Sequence, residues 1–291
     1  MNLFFKKTLF ERNFNLSDNE LLFKNIVSFN YKNIYDDNYV VQGFTISRDY
    51  ALVTAYNKFH AKSRVYLYEK TGVFKKYIEL DNSNHVGGIS YDYLNDIVYI
   101  TGSYGKINAY SYPELICGNV VKLDNDIDIS SVINKTTSAS TLCFYDNKLY
   151  VCTFEGIGKM VVFDLVVSRN KIKVVEFKLV NNLPAAIQGV CVFKYNKKLY
   201  YIFSQSYSRL NSVIKLYDEN MKFLSQIKLK EIGLEGIDIE YTGNVCGVFE
   251  NGVDRMKKIH IPDIISRFNQ SLEKKYYFKG VAFQEKLSNH K

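Results

Sequence analysis

Apolar residues recur along the chain in short alternating runs, each closed by a cluster of Asn, Asp, Gly, Ser or Lys. Period-two alternation bounded by such clusters predicts strands joined by tight turns. A small-residue step opens an apolar run five times. The five are Gln42-Gly43-Phe44-Thr45-Ile46, Gly87-Gly88-Ile89-Ser90-Tyr91, Ala139-Ser140-Thr141-Leu142-Cys143, Gln188-Gly189-Val190-Cys191-Val192 and Glu235-Gly236-Ile237-Asp238-Ile239. From Gly43 the steps fall at Gly88, Ser140, Gly189 and Gly236, spaced by 45, 52, 49 and 47 residues. A repeat of this length and content predicts a β-propeller with one four-stranded blade per repeat.

Each repeat has the interior of a blade. Polar turns at Arg48-Asp49, Leu94-Asn95-Asp96, Asp146-Asn147-Lys148, Asn196-Lys197-Lys198 and Thr242-Gly243-Asn244 follow the first strand. Second strands are predicted at Ala51–Tyr56, Ile97–Thr101, Leu149–Phe154, Leu199–Ser204 and Val245–Glu250. Outer strands are predicted at Phe74–Leu80, Asn119–Leu123, Val174–Leu179 and Phe223–Leu229. The fifth repeat runs out after its third strand, near Lys257–Ile261, whereas Leu21–Phe29 is strand-like with nothing before it to pair with. The expectation is an all-β propeller of five blades closed by that N-terminal strand, which leaves no sheet edge open. A sixth blade drawn from the two termini is the alternative. The chain divides into an N-terminal segment (1–20), the propeller (21–261) and a C-terminal tail (262–291), partly helical from Pro262-Asp263.

Composition supports strands: 24 Tyr and 20 Phe against three Pro. The net charge is +8, but its lysines stand in isolated pairs such as Lys75-Lys76 and Lys197-Lys198. Phosphate tracking needs a continuous basic stripe, so nucleic acid is not the expected partner. Five Cys without a C-x-x-C read as reduced thiols, mostly in apolar strands. Lys6, Lys7, Glu11 and Arg12 interrupt the apolar residues of the N-terminus, so neither a signal peptide nor a membrane span is expected, and the location expected is cytoplasmic. The oligomeric state expected is a monomer.

Val41-Gln42-Gly43-Phe44, Ser63-Arg64-Val65-Tyr66-Leu67-Tyr68 with Lys70-Thr71-Gly72, and His85-Val86-Gly87-Gly88-Ile89 together resemble a family of bacterial propellers with little functional characterisation. The likeness is greatest over residues 40–110 and speaks to fold. A weaker likeness is to five-bladed glutaminyl cyclases, in which a Q-G step opens blade one and an E-G step blade two. Here blade two opens with Gly87-Gly88, and the E-G step, Glu235-Gly236, stands in blade five.

In a propeller the first strand of each blade lines the central channel and runs antiparallel to the second. Strand-one starts and strand-two ends therefore share one rim. That geometry gathers Gln42, His85, Glu155, Gln188, Glu235 and Glu250, with Tyr56, Tyr104, Tyr207, Arg209 and Arg255 nearby. Convergent polar groups in a concave mouth define a candidate binding site for a small molecule or a protein. Carboxylates with amides and a histidine suit a hard cation such as calcium, a sugar-like or lactone-like substrate cleaved by a hydrolase or lyase, or a ligand bound without turnover. Asp238 and Glu240 alternate with Ile237 and Ile239 and are expected to face the channel and its water. No H-E-x-x-H, P-loop, G-x-S-x-G or G-x-G-x-x-G is present, so the corresponding enzyme classes have no support.

Overall fold

A computed structural model describes residues 27–28, 38–134, 137–169, 171–195, 197–207, 210–239, 244–250 and 256–260. The predicted segments 1–20 and 262–291 lie outside these residues. The described strands run in five successive sets of four, antiparallel within each set; the outer strands of the second and third sets also pair in parallel, Lys171 opposite Asp124 and Ile172 opposite Asn125, so those two sets form one eight-stranded sheet. Blade one is β2 (Tyr39–Ile46), β3 (Tyr50–Asn57), β4 (Arg64–Glu69) and β5 (Phe74–Glu79). Blade two is β6 (Ile89–Asp92), β7 (Ile97–Thr101), β8 (Ile107–Ser111) and β9 (Lys122–Asn125). Blade three is β10 (Ala139–Tyr145), β11 (Lys148–Thr153), β12 (Gly158–Ser168) and β13 (Lys171–Leu183). Blade four is β14 (Ile187–Tyr195), β15 (Lys198–Gln205), β16 (Asn211–Asp218) and β17 (Phe223–Ile232). Blade five is β18 (Leu234–Ile239), β19 (Asn244–Phe249), β20 (Met256–His260) and, as its outer strand, β1 (Val27–Ser28). Val27 lies opposite Lys258 and Ser28 opposite Lys257, so the N-terminal strand closes the last blade.

Local chemistry explains the strand ends. Asp146 and Asn147 take φ of 53° and 59° in the two-residue turn from β10 to β11, the left-handed pair that matches hairpin twist. Asp96 (φ 54°) closes the corresponding turn of blade two. Apolar faces then meet between blades. Leu52, Leu67 and Val98 pack between blades one and two, and Tyr99, Val151 and Phe163 between two and three. Tyr150, Val192 and Phe203 lie between three and four, and Ile214, Ile237 and Phe249 between four and five. Phe44, Tyr66 and Val248 complete the circle between five and one. Each such fully buried side chain contributes roughly 1.5–3 kcal/mol.

One detail departs from the sequence expectation. Blade two inserts a helix, α1 (Tyr112–Cys117), between its third and outer strands. Its signals were present: Ser111 and Pro113 at the start, and Gly118 at φ 104° at the end. The helix buries Tyr112 and Leu115 against blade one, where the Tyr112 hydroxyl meets Ser47 Oγ at 2.9 Å and donates to Asp49 Oδ2 at 3.0 Å. It also leaves Cys117 exposed, whereas Cys143, Cys152, Cys191 and Cys246 are buried, all five free.

Candidate functional site

The inner strands β2, β6, β10, β14 and β18 lie side by side around the axis. Four of them break register at the small-residue step: between Val41 and Phe44, Ala139 and Thr141, Ile187 and Gly189, and Leu234 and Ile237. A β-bulge bends its strand and re-aims a side chain. Gln42, Gln188 and Glu235 stand within these irregularities. The glycine that follows permits close approach of the next blade. A Cβ on Gly236 would lie 2.3 Å from Phe44 N, and one on Gly43 would lie 2.9 Å from Ile89 N.

Hydroxyls lock the same seam. Thr54 Oγ1 accepts from Gly43 N at 2.8 Å and donates to Val86 O of the next repeat at 2.7 Å. Thr101 Oγ1 accepts from Gly88 N at 2.9 Å. Ser204 Oγ donates to Glu235 O at 3.0 Å, and Ser140 Oγ to Ile187 O at 2.6 Å. Sequence reasoning missed this set. Its signal was a Ser or Thr near the end of successive second strands, at Thr54, Thr101, Thr153 and Ser204.

The six candidate residues divide into two groups. Where blades five, one and two meet, the Tyr56 and His85 rings lie 4.4 Å apart. Burial raises the Tyr56 pKa, and the charges of Glu250 and Glu235 raise it further. Glu235 is 4% exposed, and no hydrogen bond or ion pair of its carboxylate occurs among the described residues. Burial first, and the neighbouring Glu250 second, push its pKa well above the ordinary range. Glu250 is partly exposed, its backbone N–H donating to Gly233 O at 2.7 Å. The His85 ring reaches solvent, yet the surrounding protein disfavours its charged form and lowers its pKa. Val86 follows at φ 49°, an unusual conformation for a β-branched residue. Gln42 is buried, and its Nε2 donates to Val41 O at 2.8 Å, so the amide turns back on its own strand.

Gln188 and Glu155 belong to the blade three and four sector. Gln188 Oε1 accepts from Ser140 Oγ at 3.5 Å, and Glu155 Oε2 lies 3.9 Å from Lys159 Nζ. No hydrogen bond or ion pair among the described residues joins their side chains to the first group, although β14 lies beside β18. Arg209 and Arg255 lie outside the described residues. Asp238 also departs from expectation. Rather than standing in open channel water, it is clasped: its Oδ2 accepts from Thr45 Oγ1 at 2.7 Å and Ile46 N at 2.8 Å, and its Oδ1 from Ile239 N at 2.7 Å. It pins blade five to blade one.

The loops between second and third strands surround this mouth. Those of blades one, two and three each project one large apolar side chain: Phe59 (75% exposed), Tyr104 (78%) and Ile157 (58%). No group of three or more His, Cys, Asp or Glu arranged to hold a metal ion occurs among the described residues. Calcium takes six to eight oxygens, so the Glu235–Glu250 pair would be a small part of such a shell. No helix among the described residues is long and apolar enough to cross a membrane.

No family model matches the chain, and no curated protein does. Among solved structures, the chain is similar to the Dos1 propeller, at 10% identity and a TM-score of 0.40, over 76% of this chain and 58% of that one. It thus spans less than two-thirds of that structure's chain. It is also similar to a chain of the nidogen/laminin complex, at 14% identity and a TM-score of 0.44, over 68% and 70% of the two chains. The β-propeller fold itself stands on the strand pairing and the inter-blade cores described above.

Proposed function

We propose that this chain is a binding propeller that takes a positively charged group at the sector of its mouth formed by blades five, one and two. The observation that carries this reading is Glu235: a carboxyl group 4% exposed, beside Glu250, with no cation or donor against it among the described residues. An ionised carboxylate removed from water without a partner costs several kcal/mol, and a seated cation would offset that cost. Tyr56, packed near His85 in the same sector, adds an aromatic ring, a surface that attracts organic cations. Argininamide, added to the full chain, is expected to raise the melting temperature of wild type and not of Glu235→Gln. An equal response from both proteins, or none from wild type, would overturn the reading. Calcium in a parallel titration shows whether the cation is a metal.

A second reading, a hydrolase or lyase acting on a sugar-like or lactone-like substrate, draws on the same pair. A carboxyl group whose pKa is raised by burial suits a general acid, with Glu250 as the candidate base. Turnover of nitrophenyl glycosides or lactones, lost in both Glu235→Gln and Glu250→Gln, would favour this reading over simple binding.

A further inference from the structure

Resting on the binding reading above, we infer that the occupant of the mouth is a protein segment that inserts one Arg or Lys side chain beside Glu235 and Glu250 while Phe59, Tyr104 and Ile157 grip the backbone and apolar residues around it. Two observations point the same way. The first is the buried carboxyl of Glu235, which has no hydrogen-bond or ion-pair partner among the described residues. The second is at the rim: Tyr104 and Phe59 are the most exposed large apolar side chains among the described residues. Both stand on loops of the same rim, in successive blades, with Ile157 on the next. A free small cation would meet the carboxylates and leave these three side chains in water. A protein segment covers both, with a charged anchor at the centre and aromatic contacts around it, the arrangement in which interface energy concentrates.

Charge narrows the partner further. The chain carries a net charge of +8, so a polyamine or a wholly basic peptide meets repulsion from most of the surface. A segment with one basic residue among neutral and apolar ones meets attraction at the mouth alone. Backbone geometry is compatible with a fixed rim. Tyr104 is held at φ 55° in the three-residue 3-10 turn Ser103–Gly105, and Gly102 N and Lys106 N close that turn on Lys106 O and Ser103 O.

The test uses the full chain and two probes: argininamide, and a phage-displayed library of disulfide-cyclised random peptides. Peptides selected on wild type are expected to share one Arg or Lys flanked by apolar residues. Their affinity is expected to fall at least tenfold on Glu235→Gln. It should fall comparably on a Phe59→Ser, Tyr104→Asn double variant, whose melting temperature should match wild type because both side chains are exposed. Argininamide should respond to Glu235→Gln and ignore the rim variant. Selected peptides that lack a basic residue, peptides indifferent to the rim variant, or a library that yields no binder would each overturn the inference. In those cases an argininamide response that depends on Glu235 leaves the binding reading standing, whereas loss of that response overturns the reading as well.

Discussion

Strand β18 carries two carboxylates three residues apart, and they have opposite surroundings. Asp238 holds three donors, two of them from blade one, and joins the blades. Glu235, at the bulged end of the same strand, holds none among the described residues and faces a second carboxylate. Burial raises the pKa of both groups. At Asp238 the donors counter that effect by favouring the charged form; at Glu235 the neighbouring Glu250 adds to it. A buried acid that the fold has satisfied is part of the scaffold. One that the fold has left bare, at an opening, is the better sign of a ligand.

The largest expected effect tests the scaffold half of this contrast. Gly236→Ala places a Cβ against Phe44 N at the seam between blades five and one, and should cost about 3 kcal/mol or more in denaturant unfolding. A loss below about 1 kcal/mol would mean that the seam yields easily. Asp238→Ala strips the acceptor from Thr45 Oγ1 and Ile46 N and should cost about 2–3 kcal/mol; an unchanged midpoint would remove its structural role. Lys215 extends the comparison to a cation. It is buried in β16 with no ion pair among the described residues, and burial lowers its pKa to about 8. Lys215→Met should therefore stabilise the protein at pH 7 by about 1–3 kcal/mol. Above pH 8 the folded chain has released this proton while the unfolded chain still binds it, so wild-type stability should recover and the gap narrow toward pH 10. A gap that stays constant across that window would assign the effect to packing.

Glu235→Gln carries the smallest expected change, a gain of about 1 kcal/mol at pH 7, or roughly 2–4 °C in melting temperature. The sign follows from the raised pKa. The folded state keeps the proton at pH values where the unfolded state has lost it, so wild-type stability falls as pH climbs from the ordinary carboxyl value of 4.5. The gain in the variant should vanish below that pH. A variant less stable than wild type at pH 7 would make Glu235 a second structural acid and erase its contrast with Asp238.

Much of the ring was legible in the sequence because a strand pattern of period two and a recurring small-residue step are properties of spacing alone. Gly43, Gly88, Gly189 and Gly236 announced the repeat, and each sits where a side chain would strike a neighbouring atom. The closing strand was legible by elimination, from a fifth repeat one strand short. The helix α1 was overlooked because a six-residue insertion leaves no helical periodicity to read, only its end signals at Ser111, Pro113 and Gly118. The site was half legible. Antiparallel pairing assigns residues to a rim, but bulges decide where their side chains point, and a register shift leaves no mark on composition. Hence Gln42 turns back onto Val41 and Glu155 keeps company with Lys159, while Tyr56, a neighbour rather than a chosen candidate, meets the ring of His85.

Closure by β1 has a consequence for how the chain is made. Val27 waits for Lys258, and at a synthesis rate of ~5–20 residues per second that wait lasts roughly ten seconds or more. Through that interval the ribosome has already released the partner-less strand, and blades one to four can assemble in order behind it. The last joint of the circle is thus also the latest to form. A pause or premature stop in translation near residue 256 would release a nearly finished ring with a gap, open to pairing with the same gap in another copy.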